Sequence, residues 1–340
     1  MVGGKTVLVV GGLGYVGSHV VVDLLNSDNS VIVVDNLCNS DEKVVEGIKR
    51  ATGKQFKFFN LDICDFDGLS QIVANNRIDC VVHFAALKSV GMSLEFPLEY
   101  YANNIGGLLS LLRVMQKYEI NKLVFSSSAT VYGSPKTVPI REDFQLQAIN
   151  PYGYTKVIAE QIICDYARAN DKFGAINLRY FNPVGAHASY CIGENPKGKP
   201  NNLMPLICNV ALGAVDKLSV FGSDYDTEDG TCIRDYIHVV DLSKGHLCAL
   251  DFLLDFSGVE NINLGTGKGA TVLELIREFE VTNNVVVPFE VVGRRDGDTR
   301  ALVASVQKAK DLLGWSAELS LKDMCKDHYT FARKLSLEHM

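Results

Sequence analysis

The apolar run Thr6–Val10 stops at Gly11-Gly12-Leu13-Gly14-Tyr15-Val16-Gly17, and an amphipathic stretch begins directly behind it. This junction constrains the fold more than any other feature of the chain. A buried strand that turns on glycine into a helix leaves backbone N–H groups and the positive end of the helix dipole at the turn, where an anion can come close. The alternation then continues. Apolar runs at Val31–Asp35, Phe56–Asn60, Cys80–Phe84, Lys122–Ser126 and Ala175–Phe181 read as strands, and Gly17–Asn26, Phe66–Asn75, Pro97–Tyr118 and Tyr152–Asn170 carry helical spacing. Strands alternating with helices give an α/β fold on a doubly wound parallel sheet, and such sheets bind ligands past the carboxyl ends of their strands.

At 340 residues the chain is longer than one core usually serves. Beyond Phe181 the texture changes to Asn, Pro and Gly punctuation, as in Asn195-Pro196-Lys197-Gly198. We therefore expect a dinucleotide-binding domain over residues 1–181, with 234–265 returning to it. A smaller, sequence-discontinuous substrate-binding lobe is expected over 182–233 and 266–340. The net charge of −7 gives no bulk attraction for nucleic acid or an anionic membrane, so neither is expected as a partner. Nine scattered cysteines with no C-x-x-C pair suggest neither a disulfide framework nor a zinc site, and no metal is expected. Val7–Val10 is too short for a signal-peptide core or a membrane span, and the expected address is cytoplasmic.

A glycine turn alone is a weak signal. Asp35 strengthens it: the residue ends the second strand, where a carboxylate accepts hydrogen bonds from ribose hydroxyls and repels a 2′-phosphate. NAD is thus favoured over NADP, the competing reading being an aspartate that only caps a turn. Asp62, after the third strand, reads equally as an adenine contact or as a solvated loop acid.

The candidate chemistry lies further on. Ser128 follows the fifth strand, and Tyr152 and Lys156 stand four apart at the start of the next helix, on one face. A phenol titrates near ~10 in water, so it accepts a proton at neutral pH only if cationic neighbours favour the phenolate by about 3 units, or ~4 kcal/mol. Lys156 and an oxidised nicotinamide are candidates for that role, and Ser128 would hold the same substrate hydroxyl during proton transfer. A Tyr-x-x-x-Lys pair also occurs on plain amphipathic surfaces; the upstream dinucleotide turn favours catalysis.

Several further segments complete a pattern: His83 to Lys88 (HFAALK), Ser126 to Gly133 (SSSATVYG), Asn150 to Lys156, Leu178 to His187 (LRYFNPVGAH), Pro200 to Pro205 (PNNLMP), Asp226 to Val239 (DTEDGTCIRDYIHV) and Asn263 to Gly267 (NLGTG). With Gly11 to Gly17 and Asp35-Asn36-Leu37, they make the chain resemble, nearly end to end, the extended nucleotide-sugar branch of the short-chain dehydrogenase/reductase superfamily. The resemblance implies a Rossmann domain and an isomerase that keeps NAD throughout turnover. A UDP-hexose is oxidised at C4 by Tyr152, with Lys156 and Ser128. The 4-keto intermediate then rotates and takes hydride back on its other face, interconverting UDP-galactose and UDP-glucose.

By the same resemblance the cofactor would meet Gly11, Gly14, Tyr15, Val16, Gly17, Asp35, Asn36, Asn39, Ser40, Asp62, Ile63, Phe84, Ala85, Lys88, Asn103, Ser126, Tyr152, Lys156 and Tyr180. The UDP-sugar would meet Lys88, Ser128, Tyr152, Asn182, Asn202, Leu203, Phe221, Arg234, Arg295, Asp298 and Leu302. Arg234 and Arg295 also make independent sense, because guanidinium forks match diphosphate geometry. Arg294 and Arg300 read as surface ion pairs.

Related 4,6-dehydratases need an acid and a base beside the catalytic hydroxyl. Here those positions are Ala129 and Thr130, which can serve as neither. Leu302 lies between the Tyr and Cys of relatives in size, so acceptance of an N-acetyl group at C2 stays open. His83 and His187 have no metal-ligand partner at useful spacing and read as structural. The helix from Pro97 is apolar on more than one face (Tyr101, Ile105, Leu108, Leu109, Leu111, Leu112, Met115), which with the Tyr152 helix suggests a homodimer. Two other readings remain at this point: a 4-epimerase for a uronate or N-acetyl sugar, and a non-catalytic NAD-sensing protein.

Overall fold

The computed structural model describes residues 3–198, 200–295 and 297–338; residues 1–2, 199, 296 and 339–340 of the ranges expected above lie outside them. The elements follow in chain order: β1 (Thr6–Val10), α1 (Tyr15–Asn26), β2 (Ser30–Asp35), α2 (Lys43–Thr52), β3 (Lys57–Asn60), α3 (Phe66–Ala74), β4 (Cys80–His83), α4 (Val90–Glu95), α5 (Pro97–Lys117) and β5 (Lys122–Ser126). A 3₁₀ turn, Ala129–Tyr132, precedes α6 (Pro151–Ala169), β6 (Gly174–Tyr180), β7 (Asn182–Val184), α7 (Leu203–Ala211), β8 (Leu218–Phe221), β9 (Ile233–His238), α8 (Val239–Leu253) and β10 (Gly258–Leu264). Then come β11 (Gly269–Thr271), α9 (Val272–Asn283), β12 (Phe289–Val292), β13 (Ala301–Leu302), α10 (Gln307–Leu313) and α11 (Leu321–Glu338).

Seven strands form one sheet in the order β3-β2-β1-β4-β5-β6-β10, every pair parallel. Alternate residues of each strand face opposite sides. Val7, Val9, Val31 and Val33 pack under α1, α2, α8 and α10, while Leu8, Val10, Ile32 and Val34 pack under α3, α5 and α6. Burial on both faces is why these strands are continuous Val/Ile runs. The strand order reverses between β1 and β4, which opens a crevice at their carboxyl ends.

The second body is built around β9, which pairs with β7 and β13 in parallel and with β11 in antiparallel fashion. A parallel pair, β8 with β12, and helices α7, α9 and α11 close a separate apolar core around Met204, Ile207, Phe279 and Met324. The stretch from Arg234 divides between the bodies. Arg234–His238 pairs with Asn182–Val184 and Ala301–Leu302 in the small sheet, whereas β10 joins the edge of the large one beside β6, and α8 packs back onto its face. Sequence pattern had grouped the whole stretch with the large sheet, because a strand's residues do not name its neighbours. All nine cysteines are free, and among the described residues no helix is long and apolar enough to cross a membrane.

Candidate active site

The turn after β1 is a close-packed corner. Gly11 has φ 78°, and a Cβ there would stand 2.5 Å from the Ala85 nitrogen in the loop after β4. At Gly17 a Cβ would meet the Gly11 carbonyl oxygen at 2.3 Å, so α1 sits on the turn only because both positions lack side chains. Gly14 precedes α1; no side chain caps the helix and no acid stands in its first turn, so Tyr15, Val16 and Gly17 open a helix end suited to an anion. Asp35, 8% exposed, accepts from Leu13 N at 3.0 Å, Leu37 N at 2.9 Å and Ser40 Oγ at 2.8 Å. It therefore caps its own turn and also ties the end of β2 to the glycine corner.

Around this corner Asn36 Nδ2 donates to Asp62 Oδ2 at 2.8 Å, and Asn39 is exposed on the loop between them. Ile63 is buried beside Asp62. Phe84 N and Ala85 N both donate to Val10 O, which sets the β4 loop against the glycine turn. Lys88 Nζ lies 3.5 Å from Glu194 Oε1, and Asn202 Nδ2 donates to the same oxygen at 2.6 Å. Asn103 Nδ2 donates to Asn104 Oδ1 at 2.9 Å. Asn104, buried, also receives Leu87 N at 2.8 Å and donates to Thr155 Oγ1 at 3.0 Å, pinning the Lys88 loop to α6.

The start of α6 is fixed locally. Asn150 caps it by accepting from Gly153 N at 2.8 Å, and Pro151 occupies the first turn, where a missing N–H costs nothing. Tyr152 follows at once. Ser128 Oγ accepts from Thr130 N at 3.2 Å and Thr130 Oγ1 at 2.9 Å, and its hydroxyl lies where it favours the Tyr152 phenolate. Burial pushes that phenol up to about 12; the Ser128 bond works against burial, and the nearby Tyr100 phenol works with it. Lys156, 4% exposed, donates to Ser126 O at 2.7 Å, with its Nζ 5.9 Å from the Tyr152 ring centroid. Burial lowers its ammonium to about 7 although Glu160 pulls the other way. Ser126 Oγ also hydrogen-bonds the Tyr180 hydroxyl, whose proton burial holds well above the usual phenol range.

A second cluster assembles in the small lobe. Arg234 Nη2 and Arg295 Nη2 both reach Asp298 Oδ1, at 3.4 Å and 3.0 Å, and the Arg295 guanidinium lies 5.4 Å from the Phe221 ring centroid. Leu302 pairs in register with Arg234 and packs against the cluster of Ala129, Val131 and Tyr132, so β13 runs from the arginines to the Ser128 turn. Asn182 sits exposed on β7, in register with Tyr236, and Leu203 opens α7. Arg294, by contrast, pairs with Asp224 at the surface.

A family model described as GDP-mannose 4,6 dehydratase matches residues 8–328. A UDP-glucose 4-epimerase of Bacillus subtilis (strain 168) is 50% identical over 323 residues, 95% of each chain. The chain belongs to the UDP-glucose 4-epimerase family. Its fold is similar to that of the UDP-glucose 4-epimerase from Stenotrophomonas maltophila with bound NAD and formylated UDP-arabinopyranose, at TM-score 0.96 and 48% identity, covering 98% of this chain and 99% of that one. The enzyme of Bifidobacterium longum in complex with NAD+ and UDP gives TM-score 0.94 at 46% identity, covering 97% and 98%. At the positions that separate epimerases from dehydratases, Ala129 is buried and the Thr130 hydroxyl is engaged by Ser128.

Sequence reasoning missed Asn104, Glu194 and Glu160. Asn104 carries no signal of its own, since a lone Asn on a helix reads as solvent-facing. Glu194 is separated by 106 residues from the Lys88 it faces. Glu160 did carry a signal, standing four residues beyond Lys156 on the same helix face.

Proposed function

We propose that this protein interconverts UDP-galactose and UDP-glucose by transient oxidation at C4, with Tyr152 as the base, Ser128 as the group that holds the reacting hydroxyl and Lys156 as the cation beneath them. The carrying observation is the placement of Ser128 where it favours the Tyr152 phenolate, with Lys156 anchored to Ser126, all at the carboxyl edge of the sheet beside the glycine corner. A non-catalytic sensor would have no use for a serine that favours the ionised form of a buried phenol with a buried lysine beneath it.

The residues present suit NAD. The uncapped start of α1 and the side-chain-free corner at Gly11, Gly14 and Gly17 suit a pyrophosphate, with Tyr15 and Val16 supplying N–H groups. Asp35 accepts three hydrogen bonds and has about one further lone-pair site for a ribose hydroxyl. Asn36, Asn39, Ser40, Asp62 and Ile63 would border the adenosine; Phe84, Ala85, Lys88, Asn103, Ser126, Tyr152, Lys156 and Tyr180 would border the other end. When bound, NAD takes the C4 hydride and gives it back. The chain's own tasks are to draw the C4 hydroxyl proton onto Tyr152, to keep Lys156 charged nearby, and to hold the nucleotide while the sugar turns. Arg234 and Arg295, already converging on Asp298, would exchange that carboxylate for a diphosphate, with Phe221, Asn182, Asn202, Leu203 and Lys88 along the UDP-sugar and Leu302 at the hexose.

The reading extends to organisation. Residues 1–181 with 234–265 form the NAD-binding unit in this proposal, apart from β9, and 182–233 with 266–340 form the UDP-sugar unit. A homodimer is supported by the exposed apolar side chains of Leu98 and Leu109 on α5 and of Tyr154 and Ile158 on α6, helices that pack side by side. A cytoplasmic address is supported by nine unpaired thiols. The test is proton NMR of UDP-galactose with purified protein and no added cofactor. Growth of the UDP-glucose anomeric signal to a fixed ratio is expected. No conversion after NAD is supplied would refute the reading.

A further inference from the structure

Tyr152, Lys156 and Glu160 stand four residues apart on α6, stacked along one face. Each meets a different residue of the turn after β5. Tyr152 is influenced by Ser128, Lys156 Nζ donates to Ser126 O at 2.7 Å, and Ser127 Oγ donates to Glu160 Oε1 at 2.5 Å. Three rungs of one helix thus hold three consecutive serines.

The third rung has no part in the chemistry proposed above, yet it is the most heavily supported. Glu160 is 5% exposed and takes a two-pronged grip from Arg179 on β6, Nη2 at 2.6 Å and Nε at 2.9 Å. Arg179, 2% exposed, places its remaining donors on Tyr132 OH and Glu142 O, both at 3.0 Å. Tyr132 OH in turn donates to Asn263 Oδ1 at 2.7 Å on β10. A pair serving packing alone would be complete with Arg179. The additional bond to Ser127 lies between the two residues, Ser126 and Ser128, that touch the proton-transfer side chains.

We propose that Glu160 is a positioning residue for the epimerisation: through Ser127 it locks the Ser126–Ser128 turn to α6 and so fixes Ser128 against Tyr152. The proposal rests on the epimerase reading. Glu160 acts on Lys156 as well, opposing the burial that lowers that ammonium to about 7. Lys156 is faced by Tyr152 and Glu160 on its own helix and by His83 on β4, while on β6 Arg179 grips Glu160 and Tyr180 hydrogen-bonds Ser126. His83 stays neutral, burial lowering it to about 3.

The experiment compares wild type, Ser127→Ala and Glu160→Gln with UDP-galactose as substrate. Ser127→Ala keeps the Glu160–Arg179 pair, so it should fold with a Tm close to wild type while kcat falls about 10-fold and KM stays within about 2-fold. Glu160→Gln removes the negative charge, so the alkaline limb of its kcat profile should move to lower pH by roughly a unit as Lys156 loses its proton sooner. Wild-type kcat in Ser127→Ala would overturn the proposal, as would a loss that only follows a fall in Tm. If Glu160→Gln does not fold, Ser127→Ala decides alone. Should the wild-type chain not turn over UDP-galactose, the epimerase reading fails by itself. An NMR titration of the Lys156 side chain then decides whether Glu160 holds its proton: a midpoint lowered in Glu160→Gln supports that, an unmoved one overturns it.

Discussion

Replacing Lys156 by Met keeps an unbranched side chain one atom shorter and removes its charge. Burial holds the Tyr152 phenol at about 12. For Tyr152 to accept a proton at pH 7, its phenolate must be favoured by about 5 units, on the order of 7 kcal/mol. That is more than solution behaviour alone would ask, because the enclosure that excludes water also penalises the charge. Lys156 Nζ lies 5.9 Å from the Tyr152 ring centroid. A unit charge near that distance at an effective dielectric of ~20 is worth about 3 kcal/mol, or ~2 pKa units. The value of about 12 already contains the lowering by Ser128, so the remaining ~3 units fall to the positive charge of oxidised nicotinamide. With its ammonium at about 7, Lys156 is charged in about half of the molecules at pH 7, so Lys156→Met should lower kcat about 50-fold there. The deficit should shrink as pH rises, because bulk hydroxide then removes the proton that the lysine no longer repels, and most of it should be gone about two units higher. The assay is kcat for UDP-galactose between pH 6 and 10, read by coupled oxidation of UDP-glucose. A deficit of the same size at every pH would refute the electrostatic reasoning and leave Lys156 as a geometric strut.

Tyr152→Phe removes the proton acceptor and should cost about 10² to 10⁴ in kcat with the fold intact, checked by the same assay and by circular dichroism. Leu302→Cys, at the point where β13 meets the Ser128 cluster, should raise activity on UDP-N-acetylgalactosamine relative to UDP-galactose by about 10-fold; an unchanged ratio would sink the idea. Light scattering at micromolar concentration should give twice the chain mass, and Leu98→Glu with Ile158→Glu should halve it. Acid should unfold the protein early. Burial lowers His19 and His83 to about 3 and His246 and His328 to about 4, so each stays neutral when folded and takes up a proton on unfolding below the ordinary value of 6.5. Their contribution is complete above pH 6.5 and is lost as pH falls toward 4. At pH 5 each costs about 2 kcal/mol and the four together ~8, comparable with a whole domain's stability. Urea melts at pH 7 and pH 5 with equal midpoints would contradict this.

The large sheet was legible because its strands are buried on both faces, and that requirement writes itself as uninterrupted Val/Ile runs such as Val7–Val10 and Val31–Val34. Helix α2 is strongly amphipathic, with Lys43, Glu46, Lys49 and Arg50 set against Val44, Val45 and Ile48, and what hides it is its length of ten residues rather than a weak pattern. The sequence Ile233–His238 announces a strand but not its partners, and those partners, Asn182–Val184 and Ala301–Leu302, lie about 50 residues before it and about 65 after it. The same gap separates residue types from chemistry at the site. Spacing put Tyr152 over Lys156 and correctly made them a unit. It could not report that the site closes around the phenol and raises its pKa rather than lowering it, nor that Asp298 holds both phosphate-seeking arginines. Spacing along one helix is a local property, whereas desolvation is a sum over everything that packs around a group. Tyr152 is therefore a residue whose identity the sequence reveals and whose proton only the folded chain governs.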